Sequence, residues 1–250
     1  MRSYFGRLFY SPITIVAVLL MGALASPLVL TAQNQDAAAA QAADIPSFRA
    51  GGVPIAIPPP ASDMVEVGVD NHSIMEVFVP DSNRLLAAYV LSEDLPGLRN
   101  SKKSLSRYAL VEVPRRGEFT DFKASDFKDM ADGASKEFGA VLNSSIKEME
   151  EELNRKIKAL NIEDANFKLD QPVLLGSFFS KQDAYSCGMM MSVSTNGVTT
   201  KMIAGILMLR LKDRLVFAYL YSCYKDQESV MWVRKASEDW ADAILKANQQ

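Results

Sequence analysis

The chain has 250 residues, with 27 basic and 30 acidic side chains, a net charge of −3, and 48% hydrophobic against 23% charged residues. That composition belongs to a globular protein able to bury a sizeable core, and it excludes a largely disordered chain. The acidic balance argues against a nucleic-acid binder, which needs a basic surface to meet phosphates. Two cysteines and one histidine exclude a disulfide scaffold, a zinc finger and a His-rich metal centre.

Arg2 and Arg7 are the only charges before Asp36, and they precede an apolar stretch from Ile13 to Leu30. A basic start followed by an apolar run is the pattern of a secretory signal, and Ala23-Leu24-Ala25 offers a small-x-small cleavage site. The stretch is also long enough to remain as a membrane anchor. Residues 1–32 therefore read as a signal peptide or an N-terminal signal anchor. Both alternatives place the remainder outside the cytoplasm, in the periplasm or at the periplasmic face of the inner membrane, because the positive flank stays inside.

Residues 33–62 read as a linker. Ala37 to Ala43 is rich in Ala and Gln, and Pro54, Pro58, Pro59 and Pro60 favour an extended spacer. The competing reading packs Val53–Ile57 along the surface of the domain. Residues 63–250 then form a single globular α/β domain.

Short β-type runs open that domain at Met64–Val69, Ser73–Val79, Arg84–Ser92 and Arg107–Pro114. They predict an antiparallel meander of about four strands. The middle predicts two helices, one capped by Ser125 and interrupted by Gly133 and Gly139, the next starting at Ser144 or Ser145. In the second, Ile146, Met149, Leu153, Ile157 and Leu160 recur at spacings of three and four, which makes one apolar stripe.

Four strands follow, at Pro172–Phe179, Ala184–Ser194, Val198–Leu211 and Arg214–Tyr224. Asn196-Gly197 and Lys212-Asp213 sit where two-residue hairpin turns belong. These turns set the register: Met202 faces Met191 and Cys223, and Ile206 faces Cys187 and Tyr219. One sheet face then carries Met189, Met191, Met202, Ile206, Met208, Phe217, Tyr219 and Tyr221. The other carries Met190, Ile203, Leu207, Leu209, Val216, Ala218 and Leu220. Both faces are apolar and both need a cover. A last helix, about Glu228 to Ala247, offers the stripe Val230, Val233, Ser237, Trp240 and Ile244. The predicted fold is α+β: a three-layer α/β/α sandwich around an antiparallel sheet of about seven or eight strands.

Gly117-Glu118-Phe119-Thr120-Asp121-Phe122 leads into the Ser125 helix, and Leu215–Tyr224 feeds the helix bearing Trp240-x-x-x-Ile244. In this order of elements the chain resembles the PsbP-like α/β/α fold. The resemblance implies a central antiparallel sheet with helices on both faces, used mainly for non-catalytic binding and assembly. The Asn83-Arg84-Leu85-Leu86 and Asp183-Ala184-Tyr185-Ser186 segments are also similar to those of uncharacterised exported bacterial proteins.

Nucleophilic catalysis by a Ser-His-Asp or Cys-His set has only His72 to draw on. No Gly-x-Ser-x-Gly elbow and no phosphate-cradling loop occurs. The low-ranking metal candidates are Glu66, Asp70, His72 and Glu76, on two strands joined near Asp70-Asn71. Carboxylates and an imidazole sharing a face can bind a divalent ion. The expectation is accordingly a non-catalytic envelope protein that binds a protein partner or small ligand, without a cofactor. It touches the membrane through its N-terminal segment if that is uncleaved. A metal-assisted hydrolase using the acidic/His cluster is the alternative.

Overall fold

The computed structural model describes residues 45–98, 105–159, 167–195 and 197–249. The expected signal or anchor at residues 1–32, the Ala/Gln-rich stretch, Asn196 and Leu160 lie outside the described residues. Among the described residues no helix is long and apolar enough to cross a membrane.

A short hairpin, β1 (Ser47–Ala50) and β2 (Val53–Ala56), precedes the main sheet. The sheet has eight strands: β3 (Met64–Glu66), β4 (Asn83–Leu91), β5 (Arg107–Pro114), β6 (Phe167–Leu169), β7 (Val173–Lys181), β8 (Ala184–Thr195), β9 (Val198–Leu211) and β10 (Arg214–Cys223). Their spatial order is β3-β4-β5-β10-β9-β8-β6, with β7 also paired to β8, and every pairing is antiparallel. Among the described residues three α-helices complete the fold: α1 (Val69–Met75), α2 (Ala124–Ala159) and α3 (Gln227–Ala247).

The C-terminal hairpins have the expected register. Met191 pairs with Met202, Cys187 with Ile206, and β10 sets Tyr219 against Ile206 and Cys223 against Met202. Lys212 and Asp213 both take positive φ, +48° and +59°, which is the backbone a two-residue type I′ turn requires. The two sheet faces separate as alternation dictates. Met189, Met191, Met202, Ile206, Met208, Phe217, Tyr219 and Tyr221 share one cluster with α1 and with Phe127, Met130, Phe138, Met149, Leu153 and Ile157 of α2. On the other face, Leu207, Leu209, Val216, Ala218 and Leu220 pack against Trp240, Ala241 and Ile244 of α3. The α+β sandwich with an eight-stranded antiparallel sheet is therefore the observed architecture.

Before β7 the structure departs from three expectations and adds one unexpected short strand. Ser73–Val79 is not a strand: it completes α1 and continues as a 3-10 turn over Glu76–Phe78. Met75, Val77 and Phe78 are buried there while Val69 is 80% exposed, so a helical path buries the apolar residues that an alternating strand would split between faces. The two expected middle helices are one, 36 residues long and about 54 Å at 1.5 Å per residue. Gly139 does not break it. A Cβ there would lie 2.9 Å from Leu174 Cδ1, so the glycine lets β7 approach the helix closely. The short β6, whose backbone is tied to Asn154 and Glu150 of α2, has no counterpart in the sequence reading.

The third departure is the linker. Residues 46–62 belong to the domain, and the reading that packs Val53–Ile57 on it is the one the structure shows. Ile55 and Ile57 are fully buried. Tyr89 donates its hydroxyl to the Ile57 carbonyl at 2.7 Å, and the Trp240 indole N–H donates to the Pro58 carbonyl at 2.7 Å. The Asn248 side chain accepts from Ala56 N at 2.9 Å and donates back to its carbonyl at 2.7 Å. Prolines suit this segment because one face of it carries apolar side chains inward while side chains of α3 and β4 satisfy its carbonyls.

Trp240 is 1% exposed, meets Tyr89 edge to face at 6.2 Å, and fills the space between hairpin, sheet and helix. Trp240→Ala is expected to cost about 3–5 kcal/mol by cavity formation and loss of the indole hydrogen bond. Urea denaturation of the full chain measures this, and a loss under about 1 kcal/mol would contradict the packing.

Cys187 and Cys223 are both free. They flank β9 opposite Ile206 and Met202, two strands apart and four residues out of line. That separates them by roughly 16 Å, beyond the ~7 Å limit for a disulfide. Thiol titration under denaturing, non-reducing conditions is expected to count two thiols.

Candidate binding groove

Four strand ends and the start of α3 meet at one end of the sheet. There Leu91, Ser92 and Glu93 after β4, Ser106 and Arg107 at β5, Ser222 and Cys223 at β10, and Lys225, Ser229 and Asp63 line a groove of about 380 Å³. That volume is in the range of small-ligand or side-chain sites. The helix end itself is closed. The Asp226 carboxylate accepts from Ser229 N at 3.1 Å, and Ser229 Oγ accepts from Asp226 N, so the first turn is capped from within the chain.

The Arg107 guanidinium lies 4.0 Å from the centre of the Trp232 ring, a cation–π stack between β5 and α3. Its ion-pair partner, Asp63, is 4.0 Å away and more than half exposed. Beside it, burial pushes the Cys223 thiol up from its ordinary value and Lys225 only partly offsets this. Cys187 is pushed up to about 12 by burial. Both thiols stay protonated near neutral pH, so neither is an activated nucleophile.

The metal candidates do not assemble. Glu66 ends β3 and His72 stands on α1, with His72 Nε2 3.3 Å from Glu66 Oε1. The helix turns Asp70 about 200° from His72, and Glu76 opens the following 3-10 turn. Glu66 and His72 are thus brought together, and Asp70 and Glu76 are not. Among the described residues no three His, Cys, Asp or Glu side chains are placed to hold a metal ion. The expected strand–turn–strand geometry is corrected to strand–helix.

A second recess, about 290 Å³, lies where α2 crosses the start of β4, between Asp81, Asn83, Arg115, Arg155 and Lys156. Its charges are largely mutually satisfied: Lys156 Nζ is 2.9 Å from both Asp81 and Glu152, and Arg155 also pairs with Asp81. Asn83 connects this recess to a fully buried carboxyl. Its Nδ2 donates to Glu112 Oε2 at 2.8 Å, while Glu112 Oε1 has no partner. Burial pushes the Glu112 carboxyl up to about 8, against the smaller opposing pull of the Asn83 hydrogen bond and of Lys156.

Neither site was visible as a motif. Arg107, Lys225 and Trp232 come from three elements and meet only after β5 pairs with β10. Glu112 did leave a signal: it follows Tyr108 and Leu110 at period two, on the buried face of its strand.

No family model matches the sequence, and no curated protein matches it. Two solved structures do. One is the Saccharomyces cerevisiae Ran-binding protein Mog1p, 14% identical, covering 82% of this chain and 92% of that one at a TM-score of 0.29. The other is a point mutant of Mog1, also 14% identical, covering 82% and 93% at a TM-score of 0.29. These comparisons return Mog1 structures and no PsbP-like protein, so the PsbP-like resemblance is withdrawn. That resemblance rested on element order, and any sheet apolar on both faces recruits helices to both sides.

Glu112 makes stability depend on pH with a definite sign. Its folded pKa lies above the ordinary carboxylate value, so its contribution is fully present below about 4.5 and is lost as pH rises through about 8. At about 1.4 kcal/mol per pKa unit the loss amounts to several kcal/mol. Urea midpoints of the wild type are expected to fall between pH 5 and 8.5, and those of Glu112→Gln to fall much less. Parallel profiles would contradict the buried, unpaired carboxyl.

Proposed function

We propose that the chain is an exported protein of the cell envelope whose domain is non-catalytic and binds a protein partner through the groove at the start of α3. The observation that carries this reading is Arg107, held 4.0 Å over the Trp232 ring and lining a groove in which its one ion-pair partner among the described residues sits at 4.0 Å. An arginine pre-oriented by an aromatic ring and weakly paired is a typical binding anchor. Both broad faces of the sheet are already covered, so the recognition surface falls at the strand ends. The start of the sequence supports export: Arg2 and Arg7 flank an apolar stretch that suits a signal or an anchor. The chain then acts at the periplasmic side of the inner membrane, released or tethered.

The test places a photo-crosslinking residue at Gln227, exposed at the start of α3 beside the groove, in the full chain in intact cells. One partner should be captured, and should then bind the purified protein. Arg107→Glu should abolish capture, whereas the exposed-helix control Lys128→Glu should not. Adducts unaffected by Arg107→Glu would refute the groove as the contact. His72→Ala is expected to leave capture unchanged and, because its half-buried ring meets Glu66, to cost about 0.5–1.5 kcal/mol of stability. Stoichiometric zinc or manganese binding, abolished by the same change, would favour metal-assisted hydrolysis instead.

A further inference from the structure

We infer that the groove at the start of α3 takes a carboxylate, presented by an acidic segment of the protein partner. This rests on the reading of the groove as the contact and names its chemistry. The Trp232 ring, 4.0 Å beneath the guanidinium carbon, restrains Arg107 and uses none of its N–H donors as hydrogen bonds. The guanidinium makes no hydrogen bond within the described residues, and Asp63 stands at the outer limit of an ion pair. Those donors match a planar carboxylate bidentately.

The surroundings complete the match. The Lys225 ammonium lines the same groove and has no ion pair among the described residues. Hydroxyls of Ser92, Ser106, Ser222 and Ser229 line it as well, and Ser222 Oγ makes only a long 3.4 Å bond to the adjacent carbonyl. Asp63 and Glu93 keep the net charge near zero. A phosphate dianion would meet those two carboxylates, whereas a single carboxylate next to neutral amides displaces Asp63 from Arg107 without further conflict. Outside the lining and next to Trp232 in sequence, Met231 is 56% exposed, an apolar side chain for a longer segment flanking the acid to reach. This favours an acidic peptide over a small free anion.

Trp232 reports occupancy through its fluorescence, because its ring carries the cation that the ligand engages. The full chain is titrated with acetyl-Gly-Glu-Gly-amide, its glutamine twin, glutarate and inorganic phosphate. The glutamate peptide should give a saturable change that Trp232→Phe removes while Trp240 emission persists. Binding should weaken at least ten-fold in Arg107→Lys, which keeps the charge but not the fork, and vanish in Arg107→Gln. Equal binding of the glutamine twin, tighter binding of phosphate or glutarate, or no saturable change would each overturn the inference. If crosslinking from Gln227 captures a partner while the glutamate peptide fails to bind, the contact stands and its carboxylate chemistry falls. If the peptide binds but no partner is captured, the groove recognises carboxylates and the protein-partner reading falls.

Discussion

The structure depends on one constraint: an eight-stranded antiparallel sheet that is apolar on both faces. Strands β8 to β10 alternate with period two, but both phases of the alternation are hydrophobic. Such a sheet is stable only when each face is covered. One face takes the 36-residue α2 and the short α1. The other takes α3, which is too narrow to cover it alone. The hairpin of β1 and β2 fills the remainder, and this explains why a proline-rich segment with the composition of a spacer is folded. Trp240 sits where hairpin, strand and helix converge, and its N–H closes the polar account by reaching the Pro58 carbonyl.

That covering scheme positions the groove. Strand β10 enters the sheet beside β5 and then feeds α3, so the end of β10, the start of β5 and the first turn of the helix are held together. Arg107 begins β5 opposite Ser222 of β10, and Trp232 lies just beyond the helix cap, which places the guanidinium against the indole. At the helix start the Asp226 carboxylate takes the Ser229 N–H and Ser229 Oγ takes the Asp226 N–H. The charge offered to the groove is therefore that of the side chains rather than of the helix end.

The charged groups divide into two kinds. Many are paired at exposed or half-buried positions: Lys156 bridges Asp81 and Glu152, Lys181 bridges Glu238 and Asp242, and Arg84 holds Glu118 through both Nε and Nη2. Such pairs orient loops and helix ends but contribute modestly to stability. Glu112 is the other kind. It is buried beside Leu85 and Phe217 with half its hydrogen-bonding capacity unmet, an arrangement that costs free energy once the group ionises. Asn83 is what lets this carboxyl exist inside the sheet.

Local pattern alone determined the C-terminal half. Two-residue turns convert directly into register, so Met191 opposite Met202 and Ile206 opposite Tyr219 could be read by arithmetic, and the stripe through Val233, Ser237, Trp240 and Ile244 could be read from the helical period. The segment Ser73–Val79 was misread because seven residues with apolar positions on several spacings fit either period, and burial against α2 decided for the helix. Proline content misplaced residues 46–62, since composition records stiffness and not what the carbonyls will meet. The junction of β5 with β10, and with it the stacking of Arg107 on Trp232, is set by no local signal. Residues more than a hundred positions apart are brought together only by covering both faces of one sheet, a requirement of the whole chain rather than of any segment.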